Sequence, residues 1–115
     1  MSDLTDLRDG MRRFTDERDW ARFHDPKSLT LALVGEVGEV AELMQWLPAE
    51  EAHARLTSEP LSGRIAEELS DVLLYLVRLA DVLGVDLAGA AQNKLAASEA
   101  RFPAAKHYSR APERQ

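Results

Sequence analysis

Two stretches, GEVGEVAELMQW at residues 35–46 and EELSDVLLYLVRLAD at residues 67–81, decide how the rest of the chain is read. Each carries a pair of acids three residues apart, Glu36 with Glu39 and Glu68 with Asp71, set among apolar residues. On a helix that spacing puts both carboxylates of a pair on one face. Between Ser28 and Trp46 the only charged residues are Glu36, Glu39 and Glu42, and Asp71 is followed by VLLYLV before Arg78 interrupts the run. Helices apolar around most of their circumference are buried all round, and a short chain has too few other helices to cover two of them. The missing cover is expected from another subunit, as a homodimer or homotetramer.

Outward from these stretches the same periodicity continues. Leu4, Leu7, Met11 and Phe14 predict a first amphipathic helix over 3–18. A polar connection, RDWARFHDPKS, follows, and Ser28 reads as the N-cap of a second helix ending near residue 46, before Pro48. AEEAHARL reads as a short helical turn and TSEPLSG as a loop. A third helix is expected over 61–83, closed by Gly84, and a fourth over 86–100, capped by Asp86 with Pro103 beyond it. Strand signals, internal repeats and a glycine-rich phosphate loop are lacking. The expected class is all-α with four main helices, a domain over 1–103, and a tail over 104–115 that reads as extended or mobile.

Composition narrows the function. The 115 residues are one domain's worth. A net charge of -6 opposes nonspecific binding of a nucleic-acid polymer, which needs a basic surface. The chain has no cysteine, so thiolate nucleophiles and cysteine zinc sites are excluded. The opening residues lack the apolar run of a signal peptide and no stretch is a membrane span, so a cytoplasmic location is expected.

If the second and third helices pack together, four carboxylates converge in an apolar setting. Two such charges ~6 Å apart repel by roughly 3 kcal/mol at an effective dielectric of about 20, which a marginally stable domain tolerates only with a cation present. Oxygen ligands without His or Cys favour Mg²⁺, Mn²⁺ or Ca²⁺ over zinc. A Glu-x-x-Glu pair alone is commonly solvated surface; the apolar flanks and the recurrence on consecutive long helices set these pairs apart. Gly35 and Gly38 each weaken the helix and invite a close approach. Trp20 and Trp46 sit where an indole can be half exposed and stack on a base, and Tyr75 shares the face of Asp71. His24 reads equally as a brace or a ligand contact, and Lys94 and Arg101 as surface charges or phosphate partners.

At these residues the chain resembles the MazG-like all-α nucleotide pyrophosphohydrolases, whose pattern is Glu-x-x-Glu followed one loop later by Glu-x-x-Asp. It is most similar to the dCTP pyrophosphatase branch, because ERDWARFHDPKSLTLAL also matches that branch ahead of the metal motif. The resemblance runs over residues 4–103. It implies a four-helix protomer completed by oligomerisation, and Mg²⁺-dependent hydrolysis of a (deoxy)nucleoside triphosphate to monophosphate and pyrophosphate, with dCTP or a modified pyrimidine nucleotide as substrate in nucleotide-pool housecleaning. Mn²⁺ is an expected substitute. By motif match Glu36, Glu39, Glu68 and Asp71 would be metal ligands and catalytic residues. Trp20, Trp46 and Tyr75 would line the base and sugar pocket, with His24 as a further candidate substrate contact on its own reading, and Lys94 and Arg101 would contact the phosphates. Two positions depart from the pattern: Met11 stands where the dCTP branch has His, and Ser98 where the phosphate stretch has Asn. In such a site the metal polarises phosphoryl oxygens and acidifies water, and in-line attack at the α-phosphorus releases pyrophosphate. The rival from another class is a non-catalytic helical oligomer that binds nucleotide or metal. A di-metal redox bundle, the other rival, usually draws on Glu-x-x-His pairs that are missing here.

Overall fold

The hydroxyl of Ser2 accepts a hydrogen bond from the Thr5 amide at 3.1 Å, and Asp3 and Asp6 set negative charge against the same helix end. Helix α1 (Asp3–Glu17) starts there. It ends where Asp19 takes a left-handed conformation, φ 54°, and turns the Trp20 amide back to the Thr15 carbonyl at 2.9 Å. The computed structural model, which describes residues 2–111, is helical, with no strand among the described residues.

A single 3₁₀ turn, Ala21–Phe23, leads into α2 (Pro26–Met44). The cap of α2 is Asp25, not Ser28. The Asp25 carboxylate accepts from the Ser28 amide at 2.9 Å and from its hydroxyl at 2.7 Å. Pro26 turned out to start the helix rather than delay it, because the first helical position needs no amide proton and suits proline's fixed φ. The expected short turn is the helix α3 (Ala49–Leu56). Helix α4 (Leu61–Val82) ends at Gly84, whose φ of 69° is the left-handed geometry that glycine adopts without strain.

Two units make up the chain, divided after Gly84. In the first, α4 is central: α1, α2 and α3 all pack against it. Leu29 of α2, 1% exposed, and Val77 and Ala80 of α4 form its buried apolar centre, joined by Thr15, whose hydroxyl donates to the Met11 carbonyl. The second unit holds α5 (Leu87–Arg101), capped by Asp86 through the Gly89 amide at 3.2 Å, and the short α6 (Ala104–His107). The segment after Pro103, expected to be extended or mobile, begins with a helical turn, and Phe102 meets His107 edge-to-face with ring centroids 5.2 Å apart. The expected end of the tail, residues 112–115, lies outside the described residues.

The four expected long helices are present as α1, α2, α4 and α5. No helix among the described residues is long and apolar enough to cross a membrane. Within one chain a large apolar surface stays open: Leu31 and Val34 are each 62% exposed, and Val37, Leu69, Leu73 and Leu76 are exposed as well.

Candidate active site

Helix α2 presents Glu36 and Glu39 one turn apart, and α4 brings Glu68 to them, so that one carboxylate oxygen of each lies within 4.8 Å of the others. Glu39 is exposed, whereas Glu36 and Glu68 are half-buried. The Oε2 atoms of Glu36 and Glu68 are both shielded from solvent and lack any hydrogen-bond partner. Buried acceptors are rarely left so. A proton shared with the Glu39 carboxylate, followed by burial and the charges of Glu39, Asp71 and Glu36, pushes the Glu68 carboxyl up to about 7. Glu36 is raised too, by burial first and then by the charges of Glu39 and Asp71. Asp71 is exposed and stands beside the trio rather than within it, acting on both half-buried acids through its charge.

These are the electrostatics of an acid cluster that a cation would relieve. Two orphaned oxygens and two raised acids are destabilising alone, and a divalent ion would supply the missing partner. An all-oxygen donor set fits a hard ion such as Mg²⁺, Mn²⁺ or Ca²⁺.

Asp71 also lines a cavity of about 380 Å³. Leu7, Met11 and Phe14 of α1 form one wall; Trp20 and His24 come from the connection, and Leu74 and Tyr75 from α4. Trp20 is held edge-on to Phe14 with ring centroids 5.5 Å apart, and Arg18 covers the Phe14 ring at 3.9 Å. Its size and its aromatic walls with a few polar groups suit a small planar ligand, and Asp71 joins this chamber to the acids.

The structure thus gathers Glu36, Glu39 and Glu68 around one point and places Asp71, Trp20, His24 and Tyr75 on the adjoining cavity. Trp46 is not there: it is 86% exposed just beyond the end of α2. Lys94 and Arg101 are exposed on α5, in the second unit, where Ser98 donates its hydroxyl to the Lys94 carbonyl at 2.9 Å. Nothing lies within 4 Å of the position a Cβ would take at Gly35 or Gly38, so the close approach expected there is not made within the chain. Sequence reasoning left out Phe14 and Leu74 as cavity walls, and it missed Arg78. Arg78 is 7% exposed and donates from Nε to His24 Nδ1 at 3.0 Å. Its signal was a lone cation ending an apolar run.

The MazG nucleotide pyrophosphohydrolase domain profile matches residues 24–105. The chain belongs to the MazG nucleotide pyrophosphohydrolase family. That match takes in both acid pairs and the Lys94–Arg101 stretch, while α1 and Trp20 lie ahead of it. Relatives similar in sequence are dCTP pyrophosphatase 1 of Bos taurus, 48% identical over 93% of this chain and 62% of that protein, and of Homo sapiens, 46% identical over 97% and 65%. The chain therefore spans less than two thirds of the length of these relatives. The crystal structure of a pyrophosphatase from Archaeoglobus fulgidus superimposes with a TM-score of 0.81 at 32% identity, over 90% of this chain and 94% of that one. The all-helical MazG-like fold implied by the resemblance is the fold observed.

Proposed function

We propose that this MazG-family protein hydrolyses a nucleoside triphosphate to the monophosphate and pyrophosphate, with Mg²⁺ as its metal. A pyrimidine deoxynucleotide, dCTP or a modified form of it, is the substrate class, since the relatives named above are dCTP pyrophosphatases; the role is nucleotide-pool housecleaning in the cytoplasm. The observation that carries this reading is the junction at Asp71 of an unsatisfied carboxylate cluster with an aromatic cavity. A triphosphate needs both a cation for its charge and a surface for its base.

In this reading residues 1–103 are the catalytic domain, and Glu36, Glu39, Glu68 and Asp71 hold the ion. A divalent cation held there would supply charge neutralisation for the polyphosphate and a lowered pKa for a bound water. Trp20 and Tyr75 stack on the base, His24 meets its polar edge, and Met11 makes the α1 wall apolar. One of these four carboxylates, or Glu42 or Glu67, would accept the proton of the attacking water. Lys94 and Arg101 offset the remaining phosphate charge. The exposed apolar faces of α2 and α4 are covered by a second copy, and Trp46, exposed beyond the end of α2, offers a further stacking surface for the base.

The test is a panel of ribo- and deoxynucleoside triphosphates with Mg²⁺, separated by chromatography. Monophosphate and pyrophosphate, strongest for a pyrimidine deoxynucleotide and abolished by excess EDTA, is the expected result. Nucleoside diphosphate with orthophosphate would refute the cleavage site, and nucleotide binding without any turnover would favour the non-catalytic reading.

A further inference from the structure

Arg78 breaks the apolar run of α4, yet it is buried, and a buried guanidinium is costly unless its donors are met. Its Nη1 faces Asp81 at 3.5 Å, and Asp81 is itself gripped by Arg12 of α1, whose Nε lies 2.8 Å from one carboxylate oxygen and whose Nη2 bonds the other. Arg78 Nε then donates to His24 Nδ1 at 3.0 Å. The His24 amide is fixed separately, to the Ala21 carbonyl at 3.0 Å. One chain of contacts therefore runs from α1 through α4 to the imidazole on the cavity wall.

A guanidinium nitrogen only donates and never gives up its proton in a protein. The His24 Nδ1 must therefore offer a lone pair, which excludes both the imidazolium and the Nδ1–H tautomer and leaves the ring proton on Nε2. The two ring nitrogens point in nearly opposite directions, so Nε2–H is aimed away from Arg78, and among the described residues no protein acceptor meets it. Burial, and after it the Arg78 charge, lowers the His24 pKa, consistent with a neutral ring. Of the other cavity residues, Met11, Phe14 and Leu74 are apolar and the Thr15 hydroxyl gives its proton to the Met11 carbonyl, which leaves the Trp20 indole N–H and the Tyr75 hydroxyl as the other side-chain donors.

We infer that Arg78 is a positioning residue that fixes His24 as the Nε2–H tautomer and so supplies the cavity with a hydrogen-bond donor for a carbonyl oxygen or imine nitrogen on a heteroaromatic base. The inference rests on the cavity being the base site. The donor orients a stacked ring that the aromatic walls alone would leave free to rotate.

The experiment is two-bond ¹H–¹⁵N correlation of the histidine side chains in the ¹⁵N-labelled full chain at pH 7.5. A protonated Nε2 and an unprotonated Nδ1 at His24 are expected in the wild type. Arg78→Met, which has no donor, moves His24 toward a mixture of tautomers, and Arg78→Lys, which keeps one, holds the wild-type pattern. In turnover assays Arg78→Met raises KM roughly tenfold with kcat changed by less than about twofold, the loss of a single hydrogen bond to the base. A proton on Nδ1 in the wild type overturns the inference whether or not the variants fold, as do unchanged His24 nitrogen shifts in Arg78→Met. Adding dCMP separates this from the functional reading. The Nε2 signal is expected to shift, whereas an Nδ1–Arg78 pairing as described with no response to millimolar dCMP overturns the base-site assignment and the donor role with it.

Discussion

At the scale of single residues, the site stands on acids that repel one another. Glu68 is raised to about 7 and Glu36 is raised as well. A carboxyl whose folded pKa lies above its unfolded value stabilises the fold below the unfolded value and loses that contribution as pH rises through the folded one. In chelator the protein is therefore expected to melt lower at pH 8 than at pH 5.5 through this pair. Mg²⁺ must displace the retained proton, so its stabilisation is expected to be larger at pH 8. Thermal melts with EDTA and with Mg²⁺ at both pH values check this; a metal-induced shift independent of pH would contradict it. Glu68→Gln removes one repelling charge, so the metal-free variant should melt above the wild type at pH 8 and lose most of the Mg²⁺ response. The acid pairs were legible because helix geometry alone sets a three-residue spacing on one face. The Arg78–His24 contact was not, since it joins residues 54 apart in the chain and depends on how the connection folds back on α4.

Elements were legible where periodicity and caps agreed, as in α1 and α4, and misread where two local rules competed. Pro26 disfavours a helix before it and favours one that begins with it; the Asp25 side chain decides the matter by capping the exposed amides. Asp25→Ala is expected to cost about 1 kcal/mol, read as a lower denaturation midpoint with an unchanged m-value. An unaltered midpoint would place the cap elsewhere. The connection between α1 and α2 also carries Trp20 to the cavity. Trp20→Ala removes a stacking surface worth ~1–3 kcal/mol, expected chiefly in KM. If kcat alone falls, Trp20 braces Phe14 instead of holding the base. Helix α6 escaped the sequence reading because four residues are too short to show a period.

For the whole molecule, the buried apolar centre of one chain is small beside its exposed apolar faces on α2 and α4. That imbalance was visible in the sequence as two helices with too few charges, and it is the physical ground for expecting a second copy. Val34→Asp places a charge on an exposed position, harmless to the single chain but costly inside an apolar interface. Sedimentation is expected to show a dimer or tetramer for the wild type and dissociation for Val34→Asp; a wild-type monomer of 12.8 kDa at micromolar concentration would contradict the reading. The central claim is that the acids of α2 and α4 form a hydrolytic metal site. Its most direct test is the steady-state rate of Glu39→Gln against the wild type with Mg²⁺ and the best triphosphate of the panel, both proteins first shown to melt as folded. A fall in kcat by orders of magnitude with nucleotide still bound is the expected result; turnover at the wild-type rate would contradict it.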